Sequence, residues 1–264
     1  MSRSNKVKFG IVTDAPTTYE QKHSKSFRKL AESIRLDDNV DIIFESHPIV
    51  SHSDILGAAY AGGDAKTVPM TIDGVYFEQT NIGAKTILNP VLRAGGLGVE
   101  MDEADNEGIE LNNGVTTRNP SAYTVGTDTF DFVCEATVTI ADVSGTDDCA
   151  FGIRKVEAHQ AGLDDYDEMA VLNVISGAVK AETILNGGTT STSASLATVA
   201  DGGSVTLKLI VRQNGSTEFY VDGTQQSVNF TFDSGEVIIP FFQFVHATTS
   251  PGDITLSAWK AGKH

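Results

Sequence analysis

Short strand-like runs follow Val68, apolar and polar residues alternate cleanly in several of them, and this period of two limits the possible fold more than any other feature. Residues 130–140 read FDFVCEATVTI, with an apolar residue at every second position and charged or hydroxyl residues between most of them. Residues 205–211 repeat the pattern. Successive side chains of a strand point to opposite faces of a sheet, so this spacing predicts strands with one dry face and one wet face.

Strand-like runs separated by Gly, Asn and Asp follow one another to the end of the chain, with no convincing helix between them. Strands without intervening helices predict antiparallel sheets rather than a parallel βαβ fold. We therefore expect an all-β, antiparallel two-sheet β-sandwich over residues 66–264. Residues 1–65 are expected to form an N-terminal docking arm or small subdomain, with a short amphipathic helix over residues 17–36.

Turn chemistry and one aromatic run refine this expectation. Asn214-Gly215 and Asp222-Gly223 are dipeptides typical of tight β-hairpin turns, so two hairpins are predicted there. Residues 240–244 read PFFQF and place aromatic rings on both faces of one strand. This predicts a central strand buried on both sides. The alternative is that one of its faces contacts a neighbouring subunit.

The hairpin at residues 204–223 resembles a known fold. Its outgoing strand places Leu207, Leu209 and Val211 before Arg212, and its return strand reads EFYVDG at residues 218–223. This resembles the back-sheet hairpin of concanavalin A-like domains, a group that includes laminin-G-like modules, legume-lectin relatives and family 16 glycosidases. The resemblance implies a jelly roll but no single function, because one fold supports many functions.

In overall style the sequence also resembles structural proteins of tailed bacteriophages. The shared traits are an acidic body rich in Thr, Ser, Gly and Asn, few cysteines, no visible signal sequence and an N-terminal extension. The resemblance implies a capsid decoration or other head-associated protein. Such a protein is assembled in the host cytoplasm and is located in the virion.

The charge is divided unequally along the chain. Residues 1–35 carry eight basic and three acidic side chains, whereas the remainder carries 11 basic and 32 acidic ones. A basic segment with few apolar residues gains order by binding another surface, so we expect the arm to dock on the major capsid protein or another virion protein. The alternative is a solvated helix face. The residues expected to make the contact are Lys22, Lys25, Phe27, Arg28, Lys29 and Arg35.

One acidic motif has the spacing of a catalytic site. Glu103, Asp105 and Glu107 form the E-x-D-x-E pattern of retaining glycosidases in the family 16 group, which use carboxylates on one face of a strand. The motif lies inside a longer acidic run, and the chain has one Trp where sugar clefts usually offer several aromatic rings. We therefore expect no catalytic residues and predict that the protein is not an enzyme.

Metal and cofactor sites are not expected either. The acidic clusters at residues 102–107, 147–148 and 164–168 lack the spacing of a calcium-binding loop, so they are interpreted as solvated loops. Cys134 and Cys149 show no metal-binding spacing and are expected to be buried free thiols. Facing positions on adjacent strands would also allow them to lie near each other.

These observations favour a virion structural protein that displays a jelly roll and forms a homo-oligomer, with a trimer favoured. The alternative is a carbohydrate-binding host-recognition adhesin that contacts surface glycans through loop aromatics such as Tyr123 and Tyr166. A family 16-like glycosidase is a third alternative. The acidic body argues against direct contact with nucleic acid, and no apolar stretch approaches the length that spans a bilayer.

Overall fold

The structure, a computed structural model, describes residues 67–72, 75–83, 91–93, 96–100, 106–112, 122–160, 162–246 and 253–264. Seventeen strands and two short 3-10 helices, at Val143–Gly145 and Leu163–Asp165, are formed within these ranges. In chain order the strands are β1 (Thr67–Ile72), β2 (Val75–Ile82), β3 (Val91–Arg93), β4 (Gly96–Glu100), β5 (Gly108–Asn112), β6 (Tyr123–Thr124), β7 (Phe132–Ile140), β8 (Thr146–Lys155), β9 (Met169–Ile175), β10 (Ala178–Ile184), β11 (Ser191–Thr192), β12 (Ala197–Thr198), β13 (Gly203–Val211), β14 (Ser216–Val221), β15 (Thr224–Thr231), β16 (Val237–His246) and β17 (Asp253–Lys263).

The strands form two antiparallel sheets. The ten-stranded sheet has the order β1-β2-β5-β16-β8-β9-β10-β11, with β6 paired to β16 and β12 paired to β10. The seven-stranded sheet has the order β15-β14-β13-β7-β17-β4-β3. The predicted all-β fold, an antiparallel two-sheet sandwich of the concanavalin A-like jelly-roll kind, is confirmed.

The two sheets enclose one apolar core. Burial alternates along β7 and β13, as the period of two predicts, so their apolar residues point between the sheets. Trp259 of β17 lies in the middle of this core. The centroid of its ring system is 5.2 Å from the ring of Phe77 and 5.1 Å from the ring of Phe151, both edge to face and both on the opposite sheet. Such contacts add about 0.5–1.5 kcal/mol each to the burial of the rings.

Strand β16 lies inside the ten-stranded sheet and is buried along nearly its whole length. Phe242 and Phe244 face the core between the sheets, whereas Phe241 faces outward. Phe241 packs edge to face against Tyr166, with 5.7 Å between ring centroids. The predicted burial of residues 240–244 on both faces is confirmed, and side chains of the same chain cover the outward ring.

Both predicted hairpins are present. Asp222 and Gly223 have φ of 48° and 75° and form the two-residue turn between β14 and β15. Positive φ at both positions matches the right-handed twist of the flanking strands, which explains why this dipeptide occurs here. Gly215 has φ of 85° and closes the turn between β13 and β14, where its N–H donates to the carbonyl of Arg212.

The two cysteines are buried and free. Burial raises the pKa of both thiols, so they remain protonated at neutral pH. The prediction of buried free thiols is confirmed. The idea that they face each other on adjacent strands is wrong, because Cys134 lies on β7 and Cys149 on β8, in different sheets.

The predictions for the N-terminal part concern residues outside the described ranges. These are the arm at residues 1–65, the helix at residues 17–36, and the six proposed contact residues between Lys22 and Arg35; they stay predictions. Within the described ranges, no helix has the length and apolar character needed to span a bilayer.

Candidate functional site

A shallow depression of about 430 Å³ opens on the outer face of the seven-stranded sheet. The strands β7, β13 and β14 and the turn after β14 form it. Alternation along β14 buries Phe219 and Val221 in the core, so Tyr220 between them points outward. We call this surface the Tyr220 depression. The residues that line it are Glu135, Thr206, Lys208, Tyr220, Asp222 and Gly223.

A cross-strand row of side chains runs through the Tyr220 depression and ends beside it at Lys260, which does not line it. Lys260, Glu135, Lys208 and Tyr220 are successive neighbours across β17, β7, β13 and β14. Glu135 forms ion pairs with both lysines. Its Oε1 is 3.0 Å from Lys260 Nζ, and its Oε2 is 3.7 Å from Lys208 Nζ. These three side chains are 20–33% exposed. Ion pairs this open to solvent contribute little stability, but each charge already has a partner of opposite sign.

Lys208 also contacts the aromatic ring of the site. Its Nζ lies 5.8 Å from the ring centroid of Tyr220, within the range of a cation–π interaction. The Tyr220 hydroxyl donates a 2.6 Å hydrogen bond to Glu218 Oε2. That bond raises the pKa of Tyr220, and together with Arg212 it lowers the pKa of Glu218 despite partial burial. The pair is therefore a neutral hydroxyl beside an ionised carboxylate at neutral pH.

Thr206 and Asp222, which also line the depression, are held together by backbone hydrogen bonds. The N–H of Thr206 donates to Asp222 Oδ1 at 2.8 Å, and the N–H of Asp222 donates to the carbonyl of Thr206 at 2.9 Å. The hydroxyl of Thr206 lies 2.9 Å from that of Thr137. The depression thus combines hydroxyl, carboxylate and ammonium groups with one aromatic ring. Such a set can exchange hydrogen bonds in both directions with a polyhydroxylated molecule.

A second polar group, the Glu110 cluster, lies on the outer face of the ten-stranded sheet. It consists of Glu110, Arg154, Tyr166 and His159. Arg154 donates to Glu110 Oε1 at 2.7 Å, and the hydroxyl of Tyr166 donates to Glu110 Oε2. His159 Nδ1 is 3.4 Å from Glu110 Oε2. Glu110, Arg154 and Tyr166 are fully buried, so the cluster is closed to solvent except at His159.

The electrostatics of the Glu110 cluster keep the ion pair charged. Burial by itself raises the pKa of Glu110, but Arg154 and His159 outweigh it and hold that pKa well below its ordinary value. Arg154 loses solvation too, yet Glu110 and Tyr166 keep its pKa raised. Burial and the neighbouring carboxylate raise the pKa of Tyr166. Through Glu157, His159 and Tyr166, this cluster joins residues 156–160 and 162–168 to the sheet.

Another buried carboxylate, Glu168, directly precedes β9. Its Oε2 accepts a 3.3 Å hydrogen bond from the N–H of Asp233, and its Oε1 has no hydrogen-bond partner. Burial, followed by the charges of Asp233 and Glu236, raises the pKa of Glu168. Lys155, whose charge lowers that pKa, forms ion pairs with other carboxylates, at 2.6 Å from Asp167 and 3.1 Å from Glu236.

The acidic segments identified in the sequence have mixed outcomes. Asp164 and Asp165 are exposed, as predicted for a solvated loop, but Glu168 in the same run is buried. The expectation is wrong for Glu168 because it directly precedes β9 and its side chain is buried against the backbone of Asp233. Glu107 directly precedes β5, whereas Glu103 and Asp105 lie outside the described residues. Within the described ranges no three His, Cys, Asp or Glu side chains are grouped to hold a metal.

The aromatic residues predicted to contact glycans are not available. Tyr123 and Tyr166 are both fully buried, because Tyr123 stacks on Phe132 and Tyr166 covers Phe241. That prediction is wrong. Tyr220 was present in the EFYVDG motif but was not singled out. The signal that identifies it is the same period of two, which directs its two neighbours inward and Tyr220 outward.

No protein-family model and no curated protein matches the chain. Solved structures match at low identity. The carbohydrate recognition domain of Emp46p, in its potassium-bound form, is 13% identical over 70% of this chain and 88% of that chain, with a TM-score of 0.46. The carbohydrate recognition domain of Emp47p is 13% identical over 78% and 96%, with a TM-score of 0.47. An alginate lyase from Pseudomonas aeruginosa is 14% identical over 81% and 92%, with a TM-score of 0.44.

These matches correct one prediction. The expectation that the protein is not an enzyme is contradicted, because several alginate lyases are among the similar structures. The expectation relied on the weakness of one acidic motif and on the single Trp, and neither excludes catalysis by other residues on a fold that supports many functions. At these identities the likeness concerns the fold and does not transfer a ligand.

Proposed function

We propose that the jelly roll is a carbohydrate-binding domain and that the Tyr220 depression is its binding site. The observation that carries the proposal is the outward ring of Tyr220 beside Lys208, Glu135, Thr206 and Asp222 in an open depression. Sugars present hydroxyl groups that both donate and accept hydrogen bonds, together with apolar ring faces that pack on aromatic side chains. The lining of the depression has a partner for each of these features.

The contrast between the two sheets supports this choice of face. On the ten-stranded sheet, the polar groups of the Glu110 cluster bond to one another and are buried, so a ligand would have to break them apart. On the seven-stranded sheet, the paired side chains are partly exposed and held in place by their neighbours. Preorganised polar groups bind with a smaller loss of conformational entropy, which favours the Tyr220 depression.

The experiment is a titration of the full chain against an oligosaccharide panel, followed by isothermal calorimetry on the best ligand. Tyr220→Ala should weaken binding at least tenfold, which corresponds to about 1.4 kcal/mol. Tyr220→Phe keeps the ring and should bind more tightly than Tyr220→Ala. Ser227→Ala, exposed on β15 outside the depression, is the control and should bind as wild type. Equal binding by Tyr220→Ala and Ser227→Ala would reject this site.

The same samples test for turnover. After incubation, mass spectrometry of each oligosaccharide detects shortened products. Products that disappear in Tyr220→Ala would extend the proposal from binding to catalysis at the same surface. Unchanged masses combined with retained binding support a binding domain.

A second proposal concerns where the domain acts: we propose that it is carried on a bacteriophage virion as a head-associated or decoration protein. The specific observation in its favour is the charge contrast between residues 1–35 and the acidic remainder. Opposite charge guides docking on an acidic partner surface, and a closed homo-oligomer, with a trimer favoured, would present several sugar sites at once. Multiple weak sites on one particle add up to tight attachment to a glycan-covered surface.

Mass spectrometry of purified particles tests this directly, because the chain should be present in them. Charge reversal at Lys25, Arg28 and Lys29 in the full chain should then reduce its incorporation. Lys180→Glu, on β10 of the sandwich, is the control. Particles without the chain, or equal incorporation of the arm variant and the control, would reject docking through the arm.

A further inference from the structure

The charges around the Tyr220 depression form a self-contained network. Lys260 and Lys208 share Glu135, as described above. Arg212 binds two carboxylates, with NH1 at 2.7 Å from Asp131 Oδ2 and NH2 at 2.8 Å from Glu218 Oε1. The basic side chains described on the outer face of β7, β13, β14 and β17 and in the turn after β13 are Lys208, Lys260 and Arg212, and each is within 4 Å of an acidic one.

The acidic groups outnumber the basic groups on this face. Three basic residues meet four acidic ones, since Asp222 adds a carboxylate that accepts a hydrogen bond from the backbone N–H of Thr206. Asp222 is exposed at the edge of the depression. The chain as a whole is also negatively charged, with a net charge of −16. An approaching anion meets repulsion at the rim and finds its possible cationic partners already neutralised.

From this we infer that the Tyr220 depression selects neutral glycans and rejects polyuronates such as alginate. The inference rests on the proposed function and specifies its ligand class. A neutral sugar keeps the ion pairs intact and bonds to their remaining lone pairs and N–H groups. A uronate carboxylate has to displace Glu135 or Glu218 from a cation, or lie beside Asp222 without one. Either arrangement leaves a charge unpaired, which is the usual basis of discrimination against a wrong partner.

The test compares neutral and acidic probes on the full chain. Maltopentaose, cellopentaose and mannopentaose are titrated alongside an alginate pentasaccharide at low salt and at about 0.15 M salt, where the Debye length is about 8 Å. At least one neutral probe should bind, and alginate should bind at least tenfold more weakly than the best neutral probe. Added salt should reduce that difference, because it screens the repulsion.

A gain-of-function variant tests whether the charge of the depression, and not its shape, causes the weak binding of alginate. Gln225 is the cross-strand neighbour of Tyr220 on β15 and is exposed, so Gln225→Lys adds an ammonium at the rim without removing a lining residue. This variant should bind alginate at least threefold more tightly than wild type. Thr198→Lys adds the same charge on the other sheet and should not. Neutral binding should remain unchanged in both.

The outcomes separate the two levels of the proposal. Alginate binding as tight as neutral binding, abolished by Tyr220→Ala, overturns the inferred selectivity and leaves the site in place. Failure of every probe, neutral and acidic, overturns the site and the inference together. Neutral binding with weak alginate binding, strengthened by Gln225→Lys but not by Thr198→Lys, supports both.

Discussion

Glu110 and Arg154 form a 2.7 Å ion pair in which neither side chain is exposed, on the outer face of the ten-stranded sheet. Removing two charges from water is costly, and their attraction offsets that cost only when the remaining polar atoms are also bonded. Most of these atoms are bonded, since Arg154 NH1 donates to the carbonyls of Lys155 and Glu157 and Glu110 accepts from Tyr166, whereas Arg154 Nε is buried without a hydrogen-bond partner. The pair therefore anchors the segment that covers this face.

Removing one member of this pair should destabilise the fold strongly. Arg154→Met leaves the Glu110 carboxylate buried without its cation, and we expect a loss of about 3–5 kcal/mol in the free energy of unfolding. The double variant Glu110→Gln/Arg154→Met should lose less than the sum of the single variants. Urea denaturation of the four proteins measures this, and additive losses would mean that the pair is not coupled.

The pH dependence of stability should carry the signature of Glu110. Its pKa is lowered on folding from an ordinary value near 4.5, so its stabilising contribution is complete above that value and is lost as the pH falls below it. The unfolding free energy of wild type should therefore drop more steeply between about pH 5 and pH 3 than that of Glu110→Gln. Parallel curves for the two proteins would contradict the lowered pKa.

Glu168 should have the opposite effect on how stability changes with pH. Its pKa is raised on folding, so its contribution is greatest below its unfolded pKa and is lost as the pH rises through the folded one. The stability of wild type relative to Glu168→Gln should fall as the pH increases from about 4.5 towards 7, by about 1.4 kcal/mol for each unit of pKa shift. A difference that stays constant over this range would contradict it.

Close strand packing makes Gly152 of β8 intolerant of a side chain. A Cβ at this position would lie 2.3 Å from the carbonyl oxygen of Ala170 on the neighbouring strand β9. We expect Gly152→Ala to cost about 2 kcal/mol or more in thermal or urea unfolding. Gly202→Ala is the control, because φ of +70° strains it but nothing lies within 4 Å; its cost should be about 1 kcal/mol. A smaller loss for Gly152→Ala than for Gly202→Ala would be inconsistent with this packing.

The sandwich could be predicted from the sequence because local rules govern its elements. The period of two in residues 132–140 and 205–211 gave the buried faces of β7 and β13. The aromatic run at residues 240–244 gave a strand buried on both sides, and Asp222-Gly223 gave a hairpin turn. Each signal depends on residues within one strand or one turn, so no knowledge of strand order was needed.

The sites could not be predicted in the same way because they depend on strand order. Glu110 and Arg154 are 44 residues apart and meet only because β16 pairs with both β5 and β8. Tyr123 looked like a loop residue, but it pairs with β16 as part of β6 and stacks in the core. The outward direction of Tyr220 could be predicted from the alternation along its strand. The positions of its neighbours Glu135 and Lys208 could not, because they lie on other strands.

The most direct test of the carbohydrate-binding proposal is a two-dimensional ¹H–¹⁵N NMR titration of the full chain with the neutral oligosaccharide that binds best. The proposal predicts that the largest shift changes fall on the backbone amides of Glu135, Thr206, Lys208, Tyr220 and Asp222, while those of Glu110 and Arg154 remain in place. Changes centred on the outer face of the ten-stranded sheet, or no changes at saturating sugar, would contradict it.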